Sequence, residues 1–279
     1  MRSKEKVTPF VILTAVILLV ALGVGIMLTA PPNDNKESVN EVMQNAVLHE
    51  TDKIDLFGIM QVNPSVISAY TVTAILLVFA ALVRIFAIPR FKLIPGAFQS
   101  LIEKLVELFD NMAKSYSPYH NGFLGAYIFA AGCYVFFGTV FELFGIPAVN
   151  AHGLTVSLPA PLSDINGAAA MGIMSYSVIL GAGIYFNGLR GLGGVLKDFS
   201  LPLSMSFRMF GALLSGLLVT ELVYYTISLS FVVPVIVGVL FTLLHAIVQT
   251  YVLIMLTSTF FGEASEPHVK KEKNKAVKA

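Results

Sequence analysis

The sequence predicts an all-α polytopic membrane protein, and three observations lead to this fold class. First, 56% of the 279 residues are hydrophobic and only 13% are charged, whereas soluble domains carry about 25% charged residues. Second, several apolar stretches reach the roughly 20 residues that a helix needs to cross a bilayer. Third, the charged residues cluster at the chain ends and in a few loops between these stretches.

The first apolar stretch covers residues 9–30 and follows three basic residues. A cleaved signal peptide and an uncleaved anchor both fit this pattern. The length of the run and the two prolines after it, Pro31 and Pro32, favour the anchor. We assign residues 1–30 to an N-terminal anchor or signal-like helix. Residues 31–63, with six acidic residues against two lysines, are assigned to an external polar segment.

Five further apolar stretches each predict a membrane-spanning helix: residues 64–88, 122–144, 165–186, 199–228 and 232–261. Between the first two of these, apolar residues recur at helical spacing, with charges on the opposite side. The stripe consists of Phe98, Leu101, Ile102, Leu105, Leu108, Phe109 and Met112. This pattern predicts an amphipathic helix that lies on the membrane face or against a partner.

Lysine and arginine concentrate at the N-terminus, in residues 84–114, in residues 190–197 and in the C-terminal tail. Loops rich in basic residues remain on the cytoplasmic side of a membrane. The alternation therefore predicts a multi-pass protein with both termini in the cytoplasm. We assign residues 64–268 to one membrane domain and residues 269–279 to a cytoplasmic basic tail.

Several common kinds of site have no motif in this sequence. It has no G-x-x-x-x-G-K-[ST] nucleotide loop and no H-E-x-x-H metal motif. Its single cysteine, Cys133, offers neither an internal disulfide nor a thiol metal cluster. We expect no cofactor, no metal and no nucleic-acid partner, and any nucleotide chemistry must belong to another subunit.

Arg208 lies deep inside the apolar run 199–228. A charged group at such a position costs about 3 kcal/mol on insertion scales. Snorkelling to the interface and an ion pair within the chain are two ordinary explanations. Small residues let another helix approach closely, and four of them share the helical face of this arginine: Ser204, Gly211, Ala212 and Ser215. We therefore favour a partner for Arg208 on another polypeptide.

Other polar residues accompany the last predicted spans. Glu221 lies 13 residues after Arg208, roughly 20 Å along a helix, and is too distant to pair with it. His245 and Gln249 share one face of the final helix. The histidine is either hydrogen-bonded to a neighbouring backbone or, because it titrates near neutral pH, a proton relay with Glu221 and Asp164. Gln249 can orient water or bond a guanidinium.

Two segments carry a family resemblance: LPLSMSFRMFGALLSG and HAIVQTYVLIMLTSTFFGEASEPH. They resemble subunit a of F-type ATP synthases. The matching positions are Ser204, Arg208–Gly211, Ser215–Gly216, Gln249, Leu256–Phe260 and Ser265–His268. The resemblance covers about residues 60–268 and is most specific over the last seventy of them.

The resemblance implies a five-helix core whose two long, tilted C-terminal helices form a hairpin, with the N-terminal helix as an addition. It implies a proton-translocating stator subunit of a rotary ATP synthase, not catalytic on its own, in a bacterial plasma membrane. The implied partners are the rotor ring of subunit c, the peripheral-stalk subunit b and the remaining ATP synthase subunits.

In this interpretation Arg208 faces a carboxyl of the ring, and small residues line the contact. The external half-channel is assigned to Asp164, Asn166, Glu221 and His245, and the internal one to Ser204. The chain departs from the family pattern at Ala212, Leu217 and Thr242, where polar residues are usual, and Glu221 and His245 are the expected substitutes. The alternatives are a secondary ion transporter without a rotor, a membrane scaffold, and the same stator coupled to sodium.

Overall fold

The computed structural model describes residues 53–56, 60–149, 153, 155–225 and 233–266. The predicted N-terminal helix, most of the external polar segment and the basic tail lie outside the described residues. The described residues belong to two compact units. One contains residues 53–213 and 242–266, and the other contains residues 214–225 and 233–241.

Six α-helices dominate the described part of the chain: α1 Pro64–Leu82, α2 Ala97–Tyr116, α3 Gly122–Phe141, α4 Ile165–Lys197, α5 Ser200–Tyr225 and α6 Val233–Ser265. There are also two short antiparallel hairpins: β1 Ile54–Leu56 with β2 Met60–Val62, and β3 Pro147–Val149 with β4 Thr155–Ser157. Within the described residues, four stretches are long and apolar enough to cross a membrane: Pro64–Arg90, Gly122–Phe144, Ile165–Lys197 and Val235–Ser265. The predicted all-α polytopic membrane class is confirmed.

Helix α1 starts at an asparagine–proline pair. The side-chain oxygen of Asn63 accepts a hydrogen bond from the backbone N–H of Ser65 at 3.2 Å. Pro64 occupies the first turn, where its missing N–H costs nothing. The helix continues through a π turn and a 3₁₀ turn as far as Arg90. The first span is therefore two residues longer than the sequence predicted.

Helix α2 is amphipathic, as its apolar stripe predicted. Phe109 and Ala113 are buried, and the ring of Phe109 meets that of Phe129 on α3 edge to face, with a centroid distance of 5.3 Å. Phe98 and Leu101, in the first turns, remain exposed. The apolar stripe is thus divided between a contact inside this chain and an open surface.

Helix α4 contains a break at Gly188, whose φ of 61° lies in the left-handed region that favours glycine. The sequence predicted that this span ends at residue 186 and that the basic residues 190–197 lie in a loop, but the structure has a further helical segment up to Lys197. This segment packs back on the preceding turns. The Tyr176 hydroxyl donates a hydrogen bond to the Val195 carbonyl at 3.2 Å. The loop prediction was wrong because this tertiary packing continues the helix.

Glycines allow the helices of the larger unit to approach closely. A Cβ atom built at Gly172 of α4 would lie 2.8 Å from the Pro202 carbonyl oxygen of α5. One built at Gly132 of α3 would lie 2.8 Å from the Ile254 side chain of α6. Both distances are shorter than van der Waals contact. The α4–α5 and α3–α6 contacts are therefore possible only because glycine has no side chain at these two positions. Buried Met209, with Leu253 and Phe261, joins the same apolar core.

Candidate functional site

Helix α5 has one buried and one exposed side over its first four turns. Met205, Met209 and Leu213 are at most 6% exposed and belong to the core. Ser204, Arg208 and Gly211 are exposed. At 100° per residue these three lie within about 60° of one another. The arginine thus stands on an open face of small residues, which is suited to close approach by another helix.

The described side chains offer no counter-charge to Arg208. The ion pair recorded among the described side chains joins Lys114 to Asp110, which are both on α2, and does not involve Arg208. An unpaired guanidinium is costly in a low-dielectric environment, and the exposed position leaves room for a charge from outside the chain. Within the described part, the structure gives no support to an ion pair of Arg208 inside its own chain.

Three other residues of α5 were predicted to belong to the site, and the structure describes the side chains of two of them. Ala212 is half-buried at the edge of the core, and Ser215 is exposed. Ser215 and Glu221 belong to the smaller unit. Glu221 lies within the helix, but its side chain is outside the described part. The exposure of Ser215 matches that of Ser204 and Arg208.

Helix α6 carries the second predicted set. Gln249 is only 5% exposed, and His245, one turn earlier, is half-buried. The neighbours Ala246 and Leu253 are buried in the core. The amide of Gln249 thus lies in a largely water-excluded position, where both its donors and its acceptor can hold a polar group in a fixed orientation.

Asp164 caps the N-terminus of α4. One carboxylate oxygen accepts from the backbone N–H of Asn166 at 2.8 Å and from its side-chain amide at 3.2 Å. The other accepts from the Asn63 side-chain amide at 2.8 Å. Asp164 therefore joins the starts of α1 and α4. Asn63 was not predicted as part of the site, although an asparagine followed by proline before an apolar run is a helix-start signal.

The described contacts place the predicted residues in separate groups. Asp164 and Asn166 are brought together at the start of α4, while Ser204, Arg208 and Gly211 share one face of α5. No hydrogen bond within the described residues joins Asp164 to Arg208. A path between the two groups would need polar groups or water beyond these contacts.

A family model for the ATP synthase A chain matches residues 67–262. The match covers more than half of the 279 residues and runs from α1 to α6. It includes Arg208 on the open face of α5 and Gln249 on α6. The resemblance stated from the sequence motifs is confirmed at the level of the family. The chain therefore belongs to the ATP synthase A chain family, as subunit a of an F-type enzyme, an integral membrane subunit of the proton-translocating Fo sector.

Proposed function

We propose that Arg208 is the stator charge that meets the membrane carboxyl of each passing subunit c in the rotor ring. The family assignment makes the chain a proton-translocating stator subunit. The exposure of Arg208 on a face of small residues, with no carboxylate beside it among the described side chains, supports this role. A moving partner supplies the missing counter-charge, and Ser204, Gly211 and Ser215 let it come close.

The electrostatics favour arginine at this contact. Its guanidinium stays protonated under cellular conditions, so it controls a proton without carrying it. At about 4 Å and an effective dielectric near 20, its attraction for a carboxylate is roughly 4 kcal/mol. That energy shifts the ratio of ionised to protonated carboxyl by roughly a thousandfold. An incoming protonated ring carboxyl therefore releases its proton at Arg208 and must be reprotonated before it returns to lipid.

Two half-channels then connect this point to opposite sides of the membrane. We assign the external half-channel to Asp164, Asn166, Glu221 and His245, and the internal one to Ser204. Gln249, almost fully buried one turn from His245, is assigned the role of orienting the guanidinium or a water molecule beside it. Because the half-channels do not join, a proton crosses only when the ring turns.

We further propose that residues 64–268 form the membrane domain in a bacterial plasma membrane, with both chain termini in the cytoplasm. The basic segments at residues 84–114 and 190–197 support this orientation. In a Cys133→Ser background, Val149→Cys and Arg190→Cys each introduce one exposed thiol. A membrane-impermeant maleimide should label intact cells at position 149 only. Labelling at position 190 instead would reverse the orientation.

The role of Arg208 is tested by Arg208→Ala, with Arg190→Ala as the matched loss of an exposed arginine elsewhere. ATP synthesis is driven by an imposed proton gradient in membrane vesicles. We expect synthesis by Arg208→Ala to fall to the background of uncoupled vesicles while subunit c still copurifies. Arg190→Ala should retain synthesis.

Three results would contradict the proposal. Normal synthesis by Arg208→Ala would remove the arginine from the mechanism. Loss of subunit c from the purified complex would indicate a scaffold role. Proton transport by the chain alone in liposomes would indicate a transporter that works without a rotor.

The external half-channel is tested by Glu221→Gln and His245→Ala. Both should slow ATP-driven proton pumping without preventing assembly, because each removes a group that exchanges protons. Asp110→Asn, which removes an exposed carboxylate on α2, serves as the control. Pumping at full speed in both variants would exclude these residues from the path.

A further inference from the structure

An open cavity of about 520 Å³ lies where α1 ends and α2 begins. Arg90 and Lys92 line it together with the aromatic rings of Phe86 and Phe98. None of the described residues that line this cavity is acidic. The cavity therefore combines two cations with apolar walls, which is the chemistry of a site for an anion that carries an apolar body.

The loop that carries Lys92 is held in place. The Gln99 side chain accepts a hydrogen bond from the Lys92 backbone N–H at 3.0 Å and donates one to the Lys92 carbonyl at 2.8 Å. Gln99 itself lines the cavity. This paired contact fixes the loop against the first turn of α2, so the position of the Lys92 backbone is set before any ligand binds.

The cavity lies at the end of a membrane span. Arg90 is the last residue of the apolar stretch Pro64–Arg90. Leu93 and Ile94, which follow in the loop, are 104% and 87% exposed. Fully exposed aliphatic side chains beside a span are suited to the acyl region of a bilayer, whereas a small soluble anion makes no use of them. Basic pockets at such positions are suited to anionic lipid headgroups.

We propose that this cavity binds the phosphate of an anionic phospholipid such as phosphatidylglycerol. Arg90 and Lys92 provide the positive charge, and Leu93 and Ile94 lie beside the acyl chains. The ring of Phe98 forms part of the wall, which accounts for an apolar residue left exposed at the start of α2. The site is independent of the role proposed for Arg208.

The full chain, purified in a zwitterionic detergent, is titrated with phosphatidylglycerol and with phosphatidylcholine of the same fluorescent acyl chain. Wild type should bind phosphatidylglycerol more tightly. Each basic residue near an anionic headgroup contributes about fivefold, so Arg90→Ala/Lys92→Ala should weaken phosphatidylglycerol binding by about twenty-five-fold. The control Arg84→Ala/Lys104→Ala also removes two exposed cations but neither lines the cavity. It should leave the affinity within about twofold of wild type.

A second variant tests the cavity without changing charge. Gly96 lines the cavity, and a Cβ built on it meets no protein atom within 4 Å. Gly96→Leu should therefore fold and weaken phosphatidylglycerol binding by occupying its space. If Arg90→Ala/Lys92→Ala does not fold, Gly96→Leu and the comparison of the two lipids still test whether the cavity binds an anionic phospholipid.

Four results would overturn the proposal. They are equal affinity for the two lipids, equal loss in both double variants, unchanged binding in Gly96→Leu, and displacement of the lipid by an equal concentration of glycerol 3-phosphate. The last result would identify a site for a soluble phosphate. Failure of glycerol 3-phosphate to displace the lipid supports a phospholipid, and none of these results depends on ATP synthesis.

Discussion

A methyl group added at Gly172 should weaken the contact that positions the arginine-bearing helix. The added Cβ would lie 2.8 Å from the Pro202 carbonyl oxygen and would also meet the Ser206 hydroxyl. Ordinary van der Waals contact begins at 3.4 Å, so the two backbones must separate by about 0.6 Å. A carbonyl oxygen cannot rotate away as a side chain can. Overpacking of this kind costs about 1–3 kcal/mol.

The matched control is Gly181→Ala on the same helix, where a built Cβ meets no atom within 4 Å. Both substitutions share the helix-propensity gain of about 0.5–1 kcal/mol, so their difference isolates the clash. We expect Gly172→Ala to be less stable than Gly181→Ala by about 1–3 kcal/mol. The assay is unfolding of the purified chain by SDS titration, followed by circular dichroism.

The same pair should differ in function. Arg208 follows Ser206 by two residues on α5, so a displaced helix moves the guanidinium away from the ring carboxyl that we propose as its partner. ATP-driven proton pumping should fall in Gly172→Ala and stay near the wild-type rate in Gly181→Ala. Equal stability of the two variants, or a more stable Gly172→Ala, would refute the tight α4–α5 contact on which this reasoning depends.

Two further predictions concern other contacts. Asp164→Ala should destabilise the chain by about 0.5–2 kcal/mol through loss of the α4 cap. Asp164→Asn keeps a capping oxygen but loses the bond from Asn63, so it should destabilise the chain less than Asp164→Ala and should slow pumping. Unchanged pumping by Asp164→Asn would leave Asp164 a structural cap only. Gly262→Ala places a methyl group against the Tyr116 carbonyl oxygen and should cost about 1–3 kcal/mol in the same SDS titration. Gly238→Ala, with no atom within 4 Å of the built Cβ, should not, and equal stability of the pair would contradict the contact.

The helices that were predicted best are those whose limits are set by local chemistry. The start of α1 follows from Pro64, which favours the first turn of a helix, and its length follows from the apolar run. The amphipathic pattern of α2 follows from the 3.6-residue period. The break at Gly188 was not predicted because several glycines lie within residues 188–194. Which of them turns the chain depends on packing between residues that are distant in sequence.

The candidate site likewise has one part that local sequence patterns predict and one part that they do not. The shared face of Ser204, Arg208 and Gly211 could be predicted because helical geometry alone determines it, and the structure leaves all three exposed. The bond between Asn63 and Asp164 joins residues that are 101 positions apart. No local pattern indicates such a pair, since it forms only when the starts of α1 and α4 are placed side by side.

The open face around Arg208 has a consequence for how cells make this protein. On the role proposed for Arg208, a newly inserted copy that has not yet met a rotor ring presents to lipid a guanidinium that no described side chain of its own neutralises. Such a copy should be less stable in the bilayer than an assembled one, because a guanidinium without a counter-charge is costly in lipid. If the ring is its partner, as proposed, the chain should therefore be inserted no faster than rings become available to cover this face.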